Sequence, residues 1–167
     1  ESRLTSGAAY SVGGVTMSDD SRWIGFRGTV NDRYKRNVTE TGIYADVFVI
    51  EAASGKITRL TENAEAGESS VSFSPDGSML AVSAPNDWTY FRDSKIWVRA
   101  TAGAGAAWRK LGGTYDGDLN VGWWSDDGKT IYTVDGIKGT TQVVATTTDA
   151  TPLVLALIVV VVMALMF

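Results

Sequence analysis

The chain has no cysteine and no histidine. Without thiolate or imidazole, the common zinc, haem and iron–sulfur ligand sets are excluded, and the side chain that most often serves as a base near neutral pH is missing. Oxygen ligands alone remain, a set that suits Ca²⁺ or Mg²⁺. A lack of cysteine is compatible with export but does not require it. There is also no Gly-x-Ser-x-Gly elbow to present a nucleophile. The nearest fragment, Gly67-Glu68-Ser69-Ser70-Val71, lacks the second glycine, and nothing marks a Ser-Lys dyad. Positive charge is in deficit as well: the formal net charge is −4, which argues against nucleic acid as a partner.

What is present is a phrase written three times. Ser18-Asp19-Asp20-Ser21-Arg22-Trp23-Ile24-Gly25-Phe26 returns as Ser74-Pro75-Asp76-Gly77-Ser78-Met79-Leu80-Ala81-Val82, then as Ser125-Asp126-Asp127-Gly128-Lys129-Thr130-Ile131-Tyr132-Thr133. The spacings are 56 and 51 residues, and self-similarity at such a period signals a repeat architecture. Asp-Gly admits positive φ at little cost, Pro75 presets φ, and Ser and Asp side chains bond the turn's own amides. Apolar runs flank each turn: Val71 and Phe73 before Ser74, Leu80 and Val82 after it. Strand, tight turn, strand is a β-hairpin.

Larger units surround the hairpins. The middle unit predicts strands over 69–74, 79–84, 95–100 and 107–111. The first predicts 11–17, 22–28, 45–51 and 56–61, with Ala53-Ser54-Gly55 as the last turn. The third predicts 120–125, 129–134 and 141–146. Four antiparallel strands per fifty-residue unit is the pattern of a β-propeller blade. The fold class expected is therefore all-β: a partial, open propeller of about three blades over residues 1–147. Closure takes about four to eight blades, so three leave sheet edges and faces needing cover.

The segments Ile57-Thr58-Arg59-Leu60-Thr61, Ser72-Phe73-Ser74-Pro75-Asp76-Gly77 and Trp124-Ser125-Asp126-Asp127-Gly128-Lys129-Thr130-Ile131-Tyr132 resemble the WD40-like propeller repeats of the translocation protein TolB. They are still more similar to the N-terminal propeller of prolyl oligopeptidase- and dipeptidyl-peptidase-type serine peptidases. The resemblance spans residues 10–147 and implies a propeller. It carries no catalytic domain, because those peptidases place their Ser-Asp-His triad in a separate α/β-hydrolase domain. Fold alone does not assign function.

After a linker over 148–152, residues 153–167 run from Leu153 to Phe167 without a polar side chain. Pro152 suits the first turn of a helix, with Thr151 or Asp149 as cap. Such a helix reaches about 22 Å against roughly 30 Å of bilayer hydrocarbon. A thin bilayer, neighbouring helices or further residues would supply the difference. A uniformly apolar run has no face to show water, so it is expected to anchor the chain in a bilayer, with Leu153, Leu157, Val161 and Phe167 along it. The first residue is glutamate, consistent with a removed signal sequence. Flanking Lys and Arg set no orientation: none follows the run, and the nearest before it is Lys138. Family habit then places the propeller on the periplasmic side of a bacterial inner membrane.

Two loops are candidate partner contacts. Residues 27–46 form a long insertion with Arg33, Tyr34, Lys35 and Arg36; loops of that length are often functional. The second loop carries Trp88, Tyr90 and Phe91, residue types favoured both at interface centres and as core plugs. Trp108, Trp123 and Trp124 lie in or beside strands and read as core. Asp116-Gly117-Asp118-Leu119-Asn120 opens like a calcium loop, but Val121 stands where its glycine belongs, so it reads as a solvated inter-blade loop. No catalytic, cofactor-binding or metal-ligating residue is expected.

The function expected is a non-catalytic, membrane-anchored accessory subunit that stabilises or connects components of a larger membrane protein complex. By resemblance, a bacterial photosynthetic reaction centre with its light-harvesting antenna is an example. The alternative is a peptide- or envelope-protein-binding module derived from a serine peptidase or a TolB-like protein.

Overall fold

The computed structural model describes residues 2–6, 10–30, 45–62, 66–89 and 92–149. Of the expected contact and anchor residues, Arg33, Tyr34, Lys35, Arg36, Tyr90, Phe91, Leu153, Leu157, Val161 and Phe167 lie outside them. Among the described residues no helix is long and apolar enough to cross a membrane.

Three antiparallel meanders follow one another. The first sheet is β1 (Tyr10–Met17), β2 (Trp23–Val30), β3 (Ala45–Glu51) and β4 (Lys56–Arg59), paired in chain order. The second repeats that order with β5 (Ser69–Phe73), β6 (Met79–Pro85), β7 (Ser94–Ala100) and β8 (Arg109–Leu111). The third has three strands, β9 (Trp123–Trp124), β10 (Thr130–Ile137) and β11 (Thr140–Thr147). Among the described residues a 3₁₀ turn, Asn86–Trp88, interrupts this all-β, propeller-like succession of sheets.

The core lies between sheets. Val47 and Val49 of β3 meet Val71 and Phe73 of β5 and Leu80 and Val82 of β6 between the first and second sheets. Ala81, Ile96 and Val98 meet Leu119, Ile131 and Val144 between the second and third. The middle sheet is thus buried on both faces, and β6 and β7 are buried along all but their end residues, Ser83, Lys95 and Arg99 included. A further cluster on the other face of the first sheet stacks Phe26 on Phe48 at 5.2 Å and Tyr10 on Phe48 at 4.8 Å.

Two strands end short of the expected ranges because of a hydrogen bond. β9 is cut to two residues because the segment before it bonds to the second sheet. The Leu119 amide donates to the Ser94 carbonyl at 2.8 Å and the Val121 amide to Ser83 Oγ at 2.8 Å. β4 stops at Arg59 because the Thr61 hydroxyl, not a carbonyl, accepts the Val47 amide at 2.9 Å. β10 and β11 run further than expected. Lys138 and Gly139, at φ 49° and 81°, close them into a two-residue hairpin.

Candidate interaction site

The three repeated turns share one hydrogen-bond network. Ser18, Ser74 and Ser125 each donate through Oγ to the Asp two positions on, at 2.7, 2.6 and 2.6 Å. Each Oγ also accepts the amide five positions on, from Trp23 at 3.0 Å and from Met79 and Thr130 at 2.9 Å. The aspartates accept the amides of Arg22, Ser78 and Lys129, all at 3.0 Å. The residue between sits at positive φ: 68° at Gly77 and Gly128, and 59° at Ser21. The turns also touch in sequence. A Cβ on Gly77 would stand 3.1 Å from Asp20 Oδ2, and one on Gly128 3.6 Å from Ser74 Cβ. They form a row along one end of the stacked sheets.

This network sets an acid response. The Ser18 hydroxyl first, then the Arg22 amide and guanidinium, hold the Asp20 carboxyl down at about 2, against an ordinary 3.8. Asp76 is lowered chiefly by the Ser74 hydroxyl, and Asp127 by the Ser125 hydroxyl. A carboxyl whose pKa falls on folding stabilises the fold while ionised. That contribution is complete above about pH 4 and disappears as pH drops toward 2. Urea midpoints are expected to stay level down to about pH 4 and then to decline. The triple variant Ser18→Ala, Ser74→Ala, Ser125→Ala is expected to decline less steeply; an unchanged slope would show that these bonds do not set it.

The loop read as a weak calcium-loop mimic is a clasp between sheets. Asp118 Oδ1 accepts the Ser94 amide at 2.6 Å, and Asn120 Oδ1 accepts the Ser94 hydroxyl at 3.0 Å. Lys95, 1% exposed, donates through Nζ to the carbonyls of Tyr115 at 2.9 Å and Gly117 at 2.6 Å, and pairs with Asp93. The Tyr115 hydroxyl donates to Asp135 Oδ2 at 2.8 Å. Burial, and then the Asp135 carboxylate, push the Tyr115 phenol up to about 12. Among the described residues no group of carboxylates is placed to hold a metal ion.

Trp88, the one described residue of the expected contact set, is partly buried against the core between the first two sheets. Its ring lies 4.5 Å from Trp97 and 6.0 Å from Trp108. Trp108 also donates through Nε1 to the Leu60 carbonyl at 3.3 Å. Ser69 and Ser70 of the elbow-like fragment fall on a bulge of β5.

The surface that stands out is the outer face of the third sheet. Trp123, Tyr132, Val134 and Val143 are exposed by 66, 39, 49 and 69%. The register sets them side by side: Trp123 opposite Tyr132, Tyr132 opposite Ala145, and Val134 opposite Val143. Trp123 corrects the core reading of that residue. Successive strand residues point to opposite faces, so Trp124 packs toward the second sheet while Trp123 faces out. A second apolar strip lies on β1, with Val12, Val15 and Met17 exposed by 44, 64 and 56%. Sequence reasoning passed over both surfaces. The available signal was apolar side chains on both faces of β10 and β11, where a solvated last sheet would alternate.

No family model matches the chain. Dipeptidyl-peptidase 5 of Trichophyton tonsurans is 26% identical over 129 residues, which is 72% of this chain and 17% of that protein. The chain therefore spans a small part of the curated relative it matches. Kuenenia stuttgartiensis hydrazine synthase, a solved structure, matches with a TM-score of 0.50 at 21% identity, over 78% of this chain and 38% of that one. That likeness concerns the fold alone.

Proposed function

We propose that this chain is a non-catalytic accessory subunit that stabilises or connects components of a larger membrane protein complex. In this reading residues 1–147 form an open three-bladed propeller on the periplasmic side of a bacterial inner membrane, and residues 153–167 anchor it as a helix. A photosynthetic reaction centre with its light-harvesting antenna is one complex of the kind; with no histidine to ligate pigment, the contribution there is structural. The observation that carries the reading is the register-matched apolar face of Trp123, Tyr132, Val134 and Val143. Contiguous exposed apolar surface rimmed by polar residues marks protein contact.

Mild-detergent solubilisation tests it. The chain is expected to copurify with a defined set of other subunits, and Tyr132→Asp with Val143→Asp is expected to shed them. Removing 153–167 is expected to release the chain to the soluble fraction. A chain that purifies alone, with the doubly substituted protein behaving identically, overturns the accessory role. Similarity to dipeptidyl-peptidase 5 favours a second reading, a peptide- or envelope-protein-binding module. Peptide binding by the isolated, detergent-solubilised chain would select it.

A further inference from the structure

The junctions between sheets are built from repeated positions. Seven residues after each turn serine comes Gly25, Ala81 or Tyr132; one and three residues before it come Met17 and Val15, Phe73 and Val71, or Trp124 and Gly122. At the first junction Gly25 receives both side chains of the next sheet. A Cβ there would lie 2.8 Å from Val71 Cγ1 and 3.2 Å from the Phe73 ring. At the second, Ala81 is fully buried in the cluster against which Trp124 packs. The third receiving position, Tyr132, is exposed, and so are the first pair of inserting side chains, Val15 and Met17.

From this we infer that the open face of the third sheet receives the first sheet of a second copy of this chain. The inference rests on the docking role proposed above and names its occupant. Each copy offers one inserting face and one receiving face, so two copies meet twice. The three sheets described in each make six, within the roughly four to eight that close a propeller. A head-to-tail contact whose rotation closes gives a ring rather than a filament.

The two faces suit each other chemically. The outward positions Tyr132, Val134, Val143 and Ala145 carry no charge, and neither does any residue of β1. Where β1 meets that face, no ion is stripped of water. Bulk is redistributed across the contact. The receiving residue is large where Gly25 and Ala81 are small, and the inserting pair includes Met17, a pliant gap-filling side chain, in place of Phe73.

Native mass spectrometry of the full chain in mild detergent tests this. The wild-type chain is expected to be a dimer. Tyr132→Asp and Met17→Asp, on opposite faces, are each expected to weaken it by about thirtyfold or more, the effect of a lost interface hot spot. Mixing the two variants keeps one junction intact and is expected to restore a mixed dimer. Val143→Lys, at an exposed position, replaces Tyr132→Asp if that variant does not fold. A wild-type monomer at every concentration overturns the inference, as does a mixture that fails to pair. Dimer loss from the Tyr132 face alone indicates a symmetric face-to-face contact and also overturns it. Monomers whose variants still shed foreign subunits would sink the second copy but leave the docking role standing. Variants that change neither association nor copurification would remove both.

Discussion

Lys95→Met is expected to lower the unfolding free energy by about 3 kcal/mol, the scale for removing the charged partner of buried acceptors. Lys95 is 1% exposed, and its three donor directions go to the carbonyls of Tyr115 and Gly117 and to the Asp93 carboxylate. Methionine keeps much of the stem's bulk and removes all three donors. The carbonyls then lose the donor that pins loop 115–117 over the second sheet. With the loop freed, the neighbouring bonds from Ser94 to Asp118 and Asn120 weaken with it. For a chain of this length the loss is a thermal midpoint drop of about 6–12 °C. Denaturant unfolding should show a lower midpoint at unchanged slope. A change under about 0.5 kcal/mol, the range of ordinary surface substitutions, would mean that the clasp does not hold the loop.

Gly25→Val is expected to cost about 2–3 kcal/mol by overpacking, although valine is the better strand former. The position lies in the middle of β2, where propensity alone favours a β-branched side chain. Sterics win because the Cβ would approach Val71 Cγ1 to 2.8 Å and the Phe73 ring to 3.2 Å. Neither neighbour has free space, since both are only 8% exposed within the core between the first two sheets. The companion change Val71→Ala is expected to recover part of the loss, so the double variant should be more stable than the sum of the singles predicts. Strict additivity would show that the sheets separate freely and that Gly25 does not set their spacing.

The legible part of the fold was the part whose causes are local. Each repeated turn closes its hydrogen bonds within five residues, so Ser, Asp and Gly at fixed offsets identify it without any knowledge of the neighbours. The flanking strands follow from apolar runs on either side. The hairpin at Lys138-Gly139 was missed because lysine at positive φ is not a turn signature. β9 and β4 were read too long because side chains take up backbone amides there, Ser83 of β6 bonding the segment before β9 and Thr61, just past β4, bonding β3. The candidate site was legible only in part. Trp88 was placed between two roles, and its three-tryptophan cluster came into view only once two sheets were packed.

By itself, then, the sequence determined the thrice-repeated turn, the meander order of its sheets and the absence of thiol and imidazole chemistry. Turn bonding and alternation act over a few residues, and composition needs no structure at all. Only the tertiary structure decided which apolar face of each strand is covered. Periodicity cannot rank two apolar faces, so Trp123 and Trp124 read alike until the second sheet buried one and left the other in water. It likewise decided that Lys95 is a clasp, since its acceptors lie 20 and 22 residues away. The exposed face holding Tyr132 has the same cause: burial on a sheet is set by what stacks upon it.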